Sequence, residues 1–264
     1  MPVDPTVLAL RDLWVEAPGP AGAQPLLRGV SLDLRAGRVA GLVGLSGAGK
    51  SLTACALAGL LPAPLRANRG SLRLAGREVS LRDPAAWRGV RGREVLLLMQ
   101  MSGAALNPFL RVGRQIAETL RAVQGLNRVA ARRLTDQALA RVGLSPEVVR
   151  DYPHQLSGGM RRRVLLALAW ALRPRVILAD EPLTGLDPAL QTDMMGLLTD
   201  LAREREAALL VIGHDLRVLG RACSWIMVME GGRVVDQGSP QQLWSQPGHR
   251  LTQDYILQID NHDI

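Results

Sequence analysis

Apolar and polar positions change rhythm several times along the chain, and each rhythm predicts a different element. Residues 26–35 alternate, with Val30, Leu32 and Leu34 on one side and Ser31, Asp33 and Arg35 on the other. That is the period-two pattern of a strand with one buried face. Residues 6–16 read as its partner, joined to it by a Pro-, Gly- and Ala-rich loop at 17–24, so the chain opens with an antiparallel flap. Short unbroken apolar runs at 38–43, 176–179, 209–212 and 226–229 instead predict strands buried on both faces. Helical stretches alternate with these runs, the mark of a mainly parallel sheet in an α/β core. Residues 71–74 and 95–99 read as further strands. Between 112 and about 152 the pattern turns to helices rich in Arg, Ala and Gln, an inserted helical lobe. Residues 153–159 break it, and a helix restarts near Met160. A helix over 51–61 is expected to stop at Pro62 and Pro64.

Composition narrows the picture. A chain of 264 residues has room for one large α/β domain, or a core plus a smaller helical lobe. With 47% hydrophobic residues and 3% aromatics, the core is aliphatic. The longest apolar run, 164–172, is far short of the roughly 20 residues that span a bilayer. No basic-then-apolar leader opens the sequence, so a soluble cytosolic protein is expected. Cys55 and Cys223 stand alone in apolar surroundings and read as reduced core residues, with no metal-ligand spacing. A net charge of +8 admits nucleic acid or an anionic membrane face as a partner. Few aromatics are present to stack bases, so no nucleic acid is expected.

The candidate chemistry begins at the only lysine, Lys50; the other 31 basic residues are all arginine. It lies in Gly44-Leu45-Ser46-Gly47-Ala48-Gly49-Lys50-Ser51, the Gly-x4-Gly-Lys-Ser pattern of a phosphate-binding loop. A compact ammonium reaches between β- and γ-phosphates where a planar guanidinium does not fit. Strand, glycine loop and helix follow one another here, so backbone N–H groups and a helix N-terminus would cradle an anion. Gly44, Ser46, Gly47, Gly49, Lys50, Ser51 and Leu52 are the expected nucleotide contacts, with the Ser51 hydroxyl toward Mg²⁺. The strand at 176–179 runs into Asp180 and Glu181, and ligands of parallel sheets sit at such strand ends. Asp180 is placed to hold Mg²⁺ through water, and Glu181 to polarise the attacking water; the bland alternative makes Asp180 a cap. Ser157, Gly158 and Gly159 open another helix and form a second anion nest, which alone is only a cap and turn. One nucleotide in one subunit needs a single such nest.

That surplus, with the order of the motifs, resembles the nucleotide-binding subunit of ATP-binding cassette transporters. The resemblance runs through the Walker A loop at 44–51, the Q-loop Gln100 and the signature at 156–160. It continues through the Walker B strand at 176–180 with Glu181, the D-loop Leu186-Asp187 and the switch histidine His214. It implies a P-loop NTPase core with a mainly parallel sheet, an antiparallel β flap and an inserted helical signature subdomain. The whole of 1–264 would be one cassette domain, with a core at about 1–99 and 174–264 and a helical subdomain at about 100–173. It further implies that two cassettes pair head to tail, each ATP held between Walker A of one and the signature of the other. Gln100 would sense Mg²⁺ and the γ-phosphate, His214 would contact that phosphate and help position the water, and Asp187 would report across the seam.

Partners implied are two transmembrane permease subunits and a second ATP-binding subunit, a paralogue in this branch or else a second copy. An extracytoplasmic solute-binding protein acts indirectly. The place implied is the cytoplasmic face of the bacterial inner membrane, as a peripheral protein. Gln100-Met101-Ser102-Gly103-Ala104-Ala105-Leu106-Asn107-Pro108 and the stretch at 243–252 resemble the dipeptide, oligopeptide and nickel importers. No cysteine follows Cys223 in a sequence ending at Ile264, which is more similar to the short nickel and metallophore subunits. Nickel or a metal chelate is therefore the favoured solute, and a peptide is the alternative. A non-transport cassette acting on nucleic acid fits less well. Three positions depart from the family pattern. Ala17 stands where an adenine-stacking aromatic is usual, Gly213 precedes His214 in place of Ser or Thr, and Arg162 replaces a common Gln. Trp14, three residues before Ala17, is expected on the opposite strand face by alternation.

Overall fold

The computed structural model describes residues 6–19, 22–99 and 105–260. Its centre is a six-stranded sheet whose neighbours run β10 (Arg233–Gly238), β9 (Trp225–Glu230), β3 (Val39–Gly44), β8 (Ala208–Gly213), β7 (Val176–Asp180) and β6 (Val95–Leu98). Strands β9, β3, β8, β7 and β6 are parallel, and β10 pairs antiparallel at one edge. Every residue of β3 and β7 is buried, as expected for strands covered on both faces. Alternation along them divides the apolar interior into two clusters. Val39, Val43, Ile177, Ala179, Val211 and Val228 face the helical side. Leu42, Leu178, Leu210, Ile212 and Met229 face the other side, where the second sheet lies.

That second sheet has the order β2 (Gln24–Arg35), β1 (Thr6–Ala17), β4 (Arg66–Leu74) and β5 (Arg77–Val79), all antiparallel. Val30, Leu32 and Leu34 of β2 are buried while Ser31, Asp33 and Arg35 are exposed, which is the alternation in the sequence. Burying each such aliphatic side chain is worth about 1.5–3 kcal/mol. In β1 the rhythm is interrupted. Asp12 takes φ 49, and the register shifts between Leu10 and Trp14 and again between Val15 and Glu16. Trp14 and Ala17 are therefore not related by simple strand alternation across these bulges. The Trp14 indole donates to Asp12 Oδ1 at 2.8 Å.

The helical lobe contains α2 (Val112–Gln124), α3 (Arg128–Arg141) and α4 (Gly158–Leu172), which precede α5 (Pro188–Glu204). Helix α2 ends at Gly125 in the left-handed conformation, and Asn127 caps α3 by accepting from Ala130 N at 2.9 Å. Short helices α6 (Leu216–Ala222) and α7 (Pro240–Ser245) and the longer α8 (Arg250–Asp260) close the fold. Among the described residues no helix is long and apolar enough to cross a membrane.

Two expectations need correction. Helix α1 spans Lys50–Leu57, ending well before Pro62. Gly59 stops it at φ +65, with the Trp87 indole packed where a side chain at 59 would go, so proline is not the terminator here. Strand β4 starts at Arg66 rather than 71, and β5 and β10 were not foreseen, because these segments are polar and half-exposed.

Candidate functional site

Three parallel neighbours, β3, β7 and β8, end side by side. Their next residues are the glycine loop, Glu181 and His214. Gly44 is the last residue of β3, and a Cβ there would drive into the Met229 carbonyl oxygen. Gly47 and Gly49 have φ +80 and +102, and a Cβ on Gly49 would lie 2.6 Å from Leu27 Cδ2. Only glycine builds this loop without strain. Helix α1 then starts with no side-chain cap at Gly49. Its first-turn amides, those of Lys50, Ser51 and Leu52, are claimed by no cap and offer a positive end to an anion. Ser46, Gly47 and Ser51 are exposed, whereas the Leu52 side chain packs toward the apolar cluster under the loop.

Lys50 is only 6% exposed, and Nζ donates to the carbonyls of Gly44 at 2.8 Å and Leu45 at 3.0 Å. Burial lowers its pKa below the ordinary lysine value, opposed by the charges of Glu181 and Asp180. Asp180 is 5% exposed, and Ser51 Oγ donates to its Oδ1 at 3.0 Å. Burial raises the Asp180 pKa above the usual carboxylate range, against the lowering pull of the Ser51 hydrogen bond and Lys50. Asp180 is thus the buried end of a strand, not a helix cap. A dehydrated carboxylate paired with a hydroxyl, next to the exposed amides of the loop, is an oxygen donor set that fits Mg²⁺.

Glu181 follows in the left-handed region at φ 47, unusual for a residue with a side chain. Its N–H donates to Ile212 O at 3.0 Å, and Thr184 N–H donates back to its carbonyl at 3.4 Å. Thr184 Oγ1 donates to Glu181 Oε2 at 3.0 Å, which aims the carboxylate. Glu181, Thr184, Gly185, Gly213 and exposed His214 line one small cavity of about 100 Å³. Thr184 was missed in the sequence; a hydroxyl three residues after the acid, within one turn, was the available signal.

Ser157 caps α4, its Oγ accepting from Met160 N at 3.2 Å, and Gly158 and Gly159 form the first turn. Among the described residues, no hydrogen bond or ion pair joins these three to the loop at 44–51. Asp187 caps α5 by accepting from Leu190 N at 3.0 Å. Gln100 lies outside the described residues. Cys55 and Cys223 are free and buried, as expected. Burial pushes the Cys223 thiol up to about 12.

A parallel sheet feeding a glycine loop, with an uncapped helix above a buried carboxylate, defines the P-loop NTPase fold. The chain belongs to the ABC transporter family, whose model matches residues 27–184. It is 36% identical over 253 residues to the peptidoglycan transport ATP-binding protein YejF of Agrobacterium fabrum, covering 95% of this chain and 46% of that protein. The chain thus spans about half the length of that relative. Against the oligopeptide transport ATP-binding protein OppD of Salmonella typhimurium, identity is 37% over 246 residues, covering 92% of this chain and 73% of that one. The dimeric bacterial ABC transporter cassette MJ0796 shares the fold, with a TM-score of 0.77 at 23% identity over 88% of this chain and 98% of that one.

Proposed function

We propose that this chain is the ATP-hydrolysing subunit of a membrane importer, working as one of two cassettes paired head to tail. The observation that carries the reading is a contrast between two sets of glycines. Those of the loop, Gly44 and Gly49, are required by their own chain's packing. At Gly158 an added Cβ would meet nothing within 4 Å, and at Gly159 only Ser157 Oγ at 4.0 Å. In this reading the open space beside them admits a phosphate brought by a partner cassette, which a helix N-terminus fits.

In this reading the loop amides and Lys50 hold the triphosphate, with Ser157, Gly158 and Gly159 of the partner cassette covering it. Ser51 and Asp180 would hold Mg²⁺, with Gln100 the expected further ligand, and the bound ion would supply charge neutralisation at the phosphate oxygens. Glu181 orients a water and takes up its proton as the oxygen bonds to the γ-phosphorus and ADP departs. His214 stands across the same cavity to fix that water and the γ-phosphate, and Asp187 meets the partner at the seam. The domain limits expected from the sequence go with this reading, 100–173 being the signature-bearing insertion.

Two permease subunits in the inner membrane would receive the work, with this subunit peripheral on the cytoplasmic side. A second ATP-binding subunit, paralogue or copy, completes the pair, and a solute-binding protein delivers cargo from outside. For the solute, similarity to an oligopeptide transport ATP-binding protein supports the peptide class over nickel or a metal chelate.

The test is steady-state MgATP hydrolysis by the purified chain with its partner cassette. Lys50→Ala and Glu181→Gln are each expected to lower kcat by about a hundredfold or more. Glu181→Gln should retain ATP-driven pairing on size exclusion. Full turnover in either variant would overturn the reading.

A further inference from the structure

We propose that Arg162 is a positioning residue that ties the signature helix to the turn holding Glu181, so that partner nucleotide at the start of α4 aligns this chain's own carboxylate. The inference rests on the function proposed above and adds a residue and a direction of coupling to it.

Three consecutive arginines follow Met160 on α4, and they reach three different places. Arg161 Nε donates to the carbonyls of Pro153 at 2.8 Å and Leu156 at 3.1 Å, fixing the approach to the signature. Arg163 donates to Val142 O at 3.0 Å and pairs with Asp193 of α5 at 2.6 Å. Arg162 extends the other way, and its Nη2 donates to Thr184 O at 2.7 Å. Thr184 is the residue whose hydroxyl bonds Glu181 Oε2 at 3.0 Å and whose N–H closes the turn on Glu181 O. Two hydrogen bonds and one threonine therefore separate the signature helix from the carboxylate.

The arrangement matters because Glu181 does not rest in a relaxed backbone conformation. At φ 47 it relaxes unless its surroundings hold it. The bond to Ile212 O anchors its N–H on the sheet side. Thr184 holds the side chain from the other end of the turn, and Arg162 holds Thr184 to a rigid helix. A planar, permanently charged guanidinium suits that reach, whereas the glutamine common at this position in the resembled family is shorter and neutral. The start of α4, only four residues back from Arg162, is the part that would meet the partner's triphosphate. A small shift of the helix on contact is passed along this strut to the water-polarising group.

The experiment measures kcat, KM for ATP, and thermal melting on the full chain with its partner cassette. The variants are Arg162→Met, Arg162→Lys, Thr184→Val and the Arg162→Met/Thr184→Val double. Arg162→Met is expected to lower kcat about ten- to a hundredfold with KM within about threefold of wild type. Arg162→Lys should recover part of that loss. Because both residues act through one turn, the double variant should be no slower than the slower single one. An unchanged kcat in Arg162→Met, an effect confined to KM, or losses that multiply in the double variant would overturn the proposal. Should Arg162→Met fail to fold, recovery in Arg162→Lys and a kcat loss in Thr184→Val decide the matter in the same way. Wild-type chain that hydrolyses no ATP sinks the functional reading and the strut together, whereas active wild type with indifferent Arg162 variants sinks the strut alone.

Discussion

Replacing Gly158 and Gly159 together by alanine separates what a helix wants from what a nucleotide needs. Both residues lie inside α4, and neither has a positive φ. The added methyl groups meet nothing closer than Ser157 Oγ at 4.0 Å, so the chain itself has no steric objection. Alanine is favoured over glycine by about 0.8–1 kcal/mol within a helix. In a first turn, where fewer amides are bonded, about half of that is a fair expectation, giving roughly 1 kcal/mol for the pair. For a chain of this length the melting temperature should rise by about 2–4 °C. Hydrolysis should move the opposite way. The methyl groups stand over the amides that would cradle the partner's γ-phosphate, so turnover should fall about a hundredfold, in line with the loss of one oriented donor. Circular dichroism melting, ATPase assay and size exclusion of the Glu181→Gln form with ATP give the three readouts. If the double alanine variant melts more than about 2 °C below wild type, the glycines serve the fold and the reasoning fails. If it melts as expected yet hydrolyses ATP at full rate, the space beside them is not used by nucleotide.

Gly44→Ala should behave in the contrary manner, because its Cβ collides with the Met229 carbonyl across the β3–β9 pairing. A backbone overlap of this kind costs about 3 kcal/mol, or about 6–12 °C in melting temperature; a drop under about 2 °C would refute it. The Cys223 thiol, pushed up to about 12 by burial, makes a pH-dependent contribution. Below about pH 9 it is protonated in both folded and unfolded chains, and the contribution is complete. As pH rises the unfolded chain ionises first, so stability falls by up to about 1.4 kcal/mol per pH unit until the folded thiol also titrates. Urea midpoints at about pH 8 and 10.5 should therefore drop more steeply in wild type than in Cys223→Ala; equal drops would exclude the effect.

The strands that carry the site were legible because they are aliphatic runs with clear ends. Residues 38–43 ahead of Gly44 and 176–179 ahead of Asp180 correspond to β3 and β7 within a residue at each end. The loop was legible because its glycines and lone lysine are chemically distinctive. Legibility failed where tertiary contacts choose the outcome. Trp87 decides where α1 ends by packing on Gly59, and nothing near either residue in sequence announces the other. The bulge at Asp12 breaks an alternation that looked continuous. β5 and β10 are edge strands with little buried surface, so hydropathy barely marks them. The Thr184–Glu181 bond and the reach of Arg162 depend on side-chain direction, which residue type alone does not specify.

Strand β3 is a wall shared by two rooms. Val39 and Val43 belong to the helical side and Leu42 to the side of the antiparallel sheet. The glycine loop at its end is therefore braced from opposite directions, and remodelling either room tugs on the hinge of the same door. Tolerance to substitution should accordingly decline from the rim of the helical lobe toward this strand, which leaves the rim as the ground on which the protein is free to diversify.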